Sequence, residues 1–194
     1  MKGQAQSQIR PPLAQAIGIL AAILLTQALI LFLMGRPPIC PCGTIRLFQA
    51  DVLSPESSQQ IFDWYSPSHV IHGIIFFFAI KLFFPRLPPL AGFALALGVE
   101  IGWEILENSP PIIARYRQQA LAGAYAGDSI LNSLSDVLAM TLGFTLARML
   151  SFKVTLALSV SLELLTLAII RDNLTLNILQ LVYPIEAISR WQAG

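Results

Sequence analysis

Five apolar runs of bilayer-crossing length, at 13–34, 68–84, 90–107, 129–150 and 154–170, dominate this chain. A hydrocarbon layer about 30 Å thick gives backbone N–H and C=O groups no outside partner, so apolar runs of about 20 residues must satisfy them internally, as helices. The expected fold class is therefore all-α: a polytopic bundle of about five transmembrane helices forming a single integral membrane domain over 1–194. Composition agrees, because 12% charged residues is half of the roughly 25% usual in soluble domains. The first run lacks the small-residue cleavage site that ends a short signal core, so it reads as a retained span. The stretch 174–188 is interrupted by Asn177, Gln180, Pro184 and Glu186 and reads as an interfacial or re-entrant helix. The turns at 85–89 and 151–153 are tight, which makes spans two and three, and spans four and five, antiparallel neighbours.

A net charge of +1 excludes a nucleic-acid-binding surface and leaves local asymmetry as the useful quantity. With the N-terminus cytoplasmic, Lys2, Arg10, Lys81, Arg86, Arg148 and Lys153 fall inside. Arg36, Arg46, Arg115, Arg117, Arg171 and Arg190 then fall outside. This even division is broken by the lysines, all on the inner side, and by the acids, all but Glu163 on the other. The expectation is a multi-pass protein of the bacterial inner membrane with its N-terminus in the cytoplasm.

Charged groups at membrane depth are costly unless paired, hydrated or metal-bound, so they mark functional positions. Alternating span direction brings them to one end of the bundle. His69 and His72 open span two, Glu100, Glu104 and Glu107 close span three, and Asp128, Asn132 and Asp136 open span four. The spacings i,i+3, then i,i+4,i+7, then i,i+4,i+8 place each set on one helix face. At 1.5 Å per residue, Glu100 and Asp136 both lie about 12 Å below the end of their spans.

Three chemistries use such a set. Imidazole with carboxylate suits a divalent metal such as zinc, which activates water for hydrolysis. A pair such as Glu104 and Asp136 suits metal-free acid–base work, and intramembrane acids also form ion relays. The bland alternative is a polar lock in which the acids and amides pair with Arg115, Arg117 and Arg171. Trp64, Tyr65, Trp103, Tyr116 and Tyr125 near this end read as interfacial anchors, with a binding wall as the rarer alternative. Cys40-Pro-Cys42 follows span one, where an oxidising space would let the thiols pair, although so small a ring is strained. Two inert thiols is the other reading of that motif. Glu163, in the middle of span five, receives no role.

The segments GRPPICPCG, SSQQIFDWYSPSHVIHG, EIGWEILENSPPIIARYR, YAGDSILNSLSDVLAMTLGF and IRDNLTLN together resemble an uncharacterised family of small bacterial inner-membrane proteins, over roughly 35–191. More loosely, the histidine–glycine segment, the acid-bearing span and the GD…N…D…G span resemble the VanZ-like group. The first resemblance implies no activity; the second implies envelope or glycopeptide-related biology. Together they imply functional roles for His69, His72, Glu100, Glu104, Glu107, Asn108, Arg115, Asp128, Asn132 and Asp136.

The resulting expectation is a pocket near the outer leaflet that binds or hydrolyses a lipid or envelope-precursor headgroup. His69 and His72 are the expected metal ligands or proton carriers, and Glu100, Glu104 and Asp136 the ligands or general base. Arg115 and Arg117 would hold an anionic headgroup, with Glu107, Asn108, Asp128 and Asn132 beside it. The expected partners are membrane lipids and a lipid-linked or envelope substrate. The competing readings are the structural lock and an ion-coupled transporter. Transport is disfavoured by the absence of an internal repeat and by acids confined to one side.

Overall fold

The computed structural model describes residues 13–194, all of whose regular elements are helices. Lys2 and Arg10, which entered the charge comparison, lie outside the described residues. The helices are α1 (Leu13–Leu33), α2 (Ser66–Phe83), α3 (Pro89–Glu107), α4 (Pro110–Tyr116), α5 (Ile130–Met149), α6 (Phe152–Ile170), α7 (Leu174–Val182) and α8 (Glu186–Ala193). Four of them, α2, α3, α5 and α6, are long and apolar enough to cross a bilayer. In α1 the corresponding apolar stretch is Leu20–Leu33. These helices mark the chain as a polytopic membrane protein.

Local chemistry explains the boundaries. Prolines stand in the first turns of α2, α3 and α4, where a missing N–H leaves no bond unmade. Ser129 caps α5 by accepting from the Asn132 amide, and Asn173 caps α7 by accepting from Leu176. Arg171 ends α6 in the left-handed region, at φ 56°. The stretch expected as one helix at 174–188 is two, α7 and α8, broken around Tyr183-Pro184-Ile185 because a proline cannot donate to the preceding turn. The 110–116 connection, marked in the sequence only by its prolines, is the short helix α4.

α5 is the central rod and packs against α1, α2, α3 and α6. Ala96, Leu97, Val137, Met140 and Phe144 form the apolar core between α3 and α5. Phe77 and Phe93 meet the Phe144 ring edge-on at 5.3 and 5.4 Å. The closest approach is between α2 and α5. A Cβ added at Gly73 would stand 2.0 Å from the Met140 carbonyl oxygen, and one at Gly143 would stand 1.9 Å from that of Val70. Small residues at such crossings let helix backbones touch, which substitutes for a hydrophobic driving force inside lipid. This crossing sets the distance between the histidines of α2 and the acids of α5.

Between α1 and α2 the chain runs through 34–65 in turns, with one isolated backbone bridge between Phe48 and Phe62. This segment is tied to α5. Ile130 and Leu131 donate their amides to the Pro37 and Pro38 carbonyls at 2.8 and 3.1 Å, and Asn132 Nδ2 donates to the Gln60 carbonyl at 2.9 Å.

Candidate functional site

The floor of the site is assembled from α2, α3 and α5. His69 lies one turn into α2 and is buried, 7% exposed. Its Nδ1 is 2.6 Å from Glu100 Oε1 and 3.4 Å from Glu104 Oε1, and its Nε2 is 3.8 Å from Asp136 Oδ2. One imidazole thus faces all three deep acids. His72, one turn further on, brings its Nδ1 to 3.1 Å from Glu100 Oε2. Glu100 is completely buried, and both its oxygens are occupied by imidazole.

Glu104, equally buried, is served on one side only. Its Oε2 accepts from Ser133 Oγ at 2.6 Å, and Ser133 Oγ accepts in turn from Gln27 Nε2 of α1 at 2.9 Å. Among the described residues its Oε1 has no hydrogen-bond partner. A buried carboxylate oxygen without a donor is expensive. Asp136 accepts from Ser66 Oγ at 3.1 Å and keeps its other oxygen toward His69. Two trios here, His69–His72–Glu100 and His69–Glu104–Asp136, bring one ligand atom from each residue within 4.8 Å of the others, and Cys40, Cys42 and Glu56 do so elsewhere.

Above this floor opens a cavity of about 250 Å³. His69, His72 and Asp136 line its base, with Glu107 and Asp128 further up. Tyr65, Trp103, Tyr116 and Tyr125 form its walls, and Leu174, Ile178, Leu181 and Val182 of α7 roof it. Glu163, unassigned from the sequence alone, fastens that roof. Its two oxygens accept from the Leu174 amide at 2.9 Å and from Thr175 Oγ1 at 2.6 Å, at the N-terminus of α7, where a carboxylate is favourable.

Asp128 precedes α5 instead of lying on its first turn, so the helix-face spacing does not govern it. It forms a closed set with Asn108 and Tyr125. Asn108 Nδ2 and Tyr125 OH donate to its carboxylate at 2.6 and 2.9 Å, and its own amide donates to Asn108 Oδ1 at 2.7 Å. Burial pushes the Asp128 carboxyl up to about 6, against the opposing pull of those two donors. Asn132 turns away from the cavity to the Gln60 carbonyl. Arg115 donates to the Leu181 carbonyl at 2.9 Å and Arg117 to that of Tyr125 at 2.6 Å, and neither guanidinium lines the cavity.

Sequence reasoning missed Gln27, Ser66, Ser133 and Asn177. Ser133 and Asp136 share a face with the Ser129 cap at i,i+4,i+7, a signal that was present but weak. Gln27 inside an apolar run was the other available sign.

Near the roof, Asp172 accepts from the Asn173 amide at 3.0 Å and Gln192 Nε2 at 3.1 Å, with Tyr65 OH at 3.4 Å, joining α2, α7 and α8. Burial raises its carboxyl to about 6 despite these donors. A carboxyl raised from its ordinary 3.8 favours the folded state most when protonated. Its contribution is complete below pH 3.8 and lost as pH rises through about 6. The stability of the native protein relative to Asp172→Asn is therefore expected to fall as pH is raised across that window. Thermal unfolding of both proteins in detergent at a series of pH values measures it, and a pH-independent difference would contradict the assignment.

The family described as "Protein of unknown function (DUF2585)" matches residues 31–194. A UPF0314 protein of Sphingopyxis alaskensis is 53% identical over 176 residues, covering 91% of this chain and 94% of the relative. UPF0314 proteins of Novosphingobium aromaticivorans and Paracoccus denitrificans are 50% identical over 184 residues and 49% over 172. They cover 91% and 89% of this chain, and 93% and 89% of the relatives. No solved structure is a significant match.

Proposed function

The chain belongs to the DUF2585 family, a bacterial family whose description assigns no activity, and on that premise we propose that it binds a divalent cation through His69, Glu104 and Asp136 to engage an amphiphile headgroup. The observation that carries this reading is the Glu104 Oε1 atom, buried and without a donor beside the His69 imidazole. A cation there would satisfy it.

The division of labour follows from the distances. Glu100 holds Nδ1 of His69, which fixes the ring and leaves Nε2 toward Asp136, the arrangement by which a carboxylate orients a metal-binding imidazole. Glu100 and His72 are then positioning residues. The cavity joins this polar floor to the apolar face of α7, the shape an amphiphile requires: headgroup below, chain against Ile178, Leu181 and Val182. Among the described residues neither arginine nor lysine lines it, so an anionic headgroup would be held by the cation, and hydroxyl or amine groups by Glu107, Asp128 and the tyrosines. A bound cation of this kind activates water at neutral pH, which makes hydrolysis of a lipid or lipid-linked envelope precursor the fitting reaction. The VanZ-like layout of the motifs supports an envelope setting. We place the protein in the inner membrane with its N-terminus cytoplasmic and the cavity toward the outer leaflet, on the lysine and acid asymmetry of its loops.

Elemental analysis of the purified protein tests the reading. The native chain is expected to carry zinc, manganese or iron in stoichiometric amount, and His69→Ala to lose it, at least about 100-fold in affinity, since even outer-shell changes cost 10–100-fold. A native protein that retains no cation after reloading and dialysis would overturn it. The structural lock has one observation in its favour, the closed Asn108–Asp128–Tyr125 set. It predicts loss of stability in the same variants with no cation in any of them.

A further inference from the structure

We propose that Cys40-Pro-Cys42 is a thiol–disulfide exchange site whose substrate is a protein dithiol. The two sulfurs form a disulfide across a separation of two residues. They differ sharply in access: Cys40 is 3% exposed, while Cys42 lies on the surface. Both are met by N–H donors. The Cys42 amide points at Cys40 Sγ at 3.2 Å, and Gln60 Nε2 points at Cys42 Sγ at 3.5 Å.

The pair borders a groove of about 380 Å³ that Arg36, Pro55, Glu56 and Gln59 also line. Arg36 donates through Nη1 to the Ala126 carbonyl, and its buried Nε has no hydrogen-bond partner among the described residues. The amide aimed at the inner sulfur favours thiolate there, the condition for a sulfur to leave readily, while the Glu56 carboxylate, with an oxygen within 4.8 Å of both sulfurs, opposes a thiolate. Exposed disulfides of this kind are exchangeable, whereas buried ones brace the fold. The segment 34–65 has its own hydrogen bonds to α5 through Pro37, Pro38 and Gln60, so the disulfide is not its main fastening.

The reaction balances as follows. A partner thiolate attacks Cys42 Sγ; the S–S bond breaks and its electron pair leaves on Cys40, which then takes up a proton. The partner's second thiol, deprotonated, attacks the partner sulfur of the mixed disulfide. Cys42 is expelled as thiolate and takes that proton. The partner is oxidised by two electrons to a disulfide, and the pair is reduced to two thiols. The reverse sequence reoxidises the pair on a partner disulfide.

The test uses the full chain in detergent, equilibrated in mixtures of dithiothreitol and its oxidised form without denaturant, with free thiols counted by maleimide mass shift. The two thiols are expected to appear together and reversibly, with helical circular dichroism and thermal unfolding unchanged. In Cys40→Ser, Cys42 is expected to form a mixed disulfide with glutathione disulfide at least about tenfold faster than Cys40 does in Cys42→Ser, following access to the sulfur. Resistance to reduction until the protein is denatured, unfolding upon reduction, or equal reactivity of the two single-thiol variants would each overturn the proposal.

Discussion

Gly143→Ala is expected to lower the thermal midpoint of the detergent-solubilised protein by on the order of 5–10 °C, and to abolish cation binding with it. The Cβ it introduces would lie 1.9 Å from the Val70 carbonyl oxygen and 2.8 Å from its carbon, neither of which is the free end of a side chain. Relief requires moving α2 away from α5. Overpacking of this kind costs about 1–3 kcal/mol or more, and each kcal/mol corresponds to roughly 2–4 °C in a chain of this size. The same separation opens the crossing at Gly73, whose added Cβ would meet Met140 and Phe144 backbone atoms. His69 sits one turn from this crossing on α2, and Asp136 two turns from it on α5, so their 3.8 Å approach cannot survive a shift of an ångström or two. Gly98→Ala is the matched control, because nothing lies within 4 Å of an added Cβ there. That change should leave binding intact and raise stability by up to about 1 kcal/mol, as alanine is the better helix former. Equal midpoints for the two variants would remove the crossing as the element that sets the site.

Why the fold was legible and the site only partly so follows from the same residues. Run length and apolarity decide that 66–83, 89–107, 130–149 and 152–170 are helices, because lipid allows no alternative for their backbones. The helix-face spacing of Glu100 and Glu104 was likewise readable, since both lie within one uninterrupted helix. Asp128 was not, because its i,i+4,i+8 relation to Asn132 and Asp136 presumes a helix that begins only at Ile130. Arg115 and Arg117 show another limit. A guanidinium beside acids in sequence reads as a headgroup ligand, but carbonyls left unpaired at Leu181 and Tyr125 compete for it, and those lie 66 and 8 residues away. The tyrosines and Trp103, read as interfacial anchors, are cavity walls. Nothing in their own sequence neighbourhood announces the α7 roof that turns an interface into an enclosure. The helical break at Tyr183-Pro184 makes α7 short enough to lie across the cavity mouth, a tertiary consequence of a local signal.

Glu104→Gln separates a cation site from an ion-pair lock through the sign of its effect on stability. Glu104 Oε2 is held by Ser133, while the buried Oε1 has no hydrogen-bond partner among the described residues and only His69 Nδ1 beside it, at 3.4 Å. If the acid exists to pair with His69, neutralising it breaks a buried pair and destabilises the protein by about 3–5 kcal/mol, with or without added metal. If the acid exists to bind a cation, the metal-free native protein carries an uncompensated group that the amide relieves. The variant should then be as stable as the native chain, or more so, in chelator. The order reverses when zinc or manganese is added. A ligand that binds only the folded state at 100 times its dissociation constant stabilises by about 2.7 kcal/mol, a gain the native chain should show and Glu104→Gln should lack. Thermal unfolding of both proteins, in chelator and with each cation in turn, measures all four states. A variant less stable than native in chelator, together with no cation-dependent rise in the native protein, would return the cluster to a structural role. Asp136→Asn run in parallel should reproduce the missing cation response, because Asp136 is the other carboxylate of that trio.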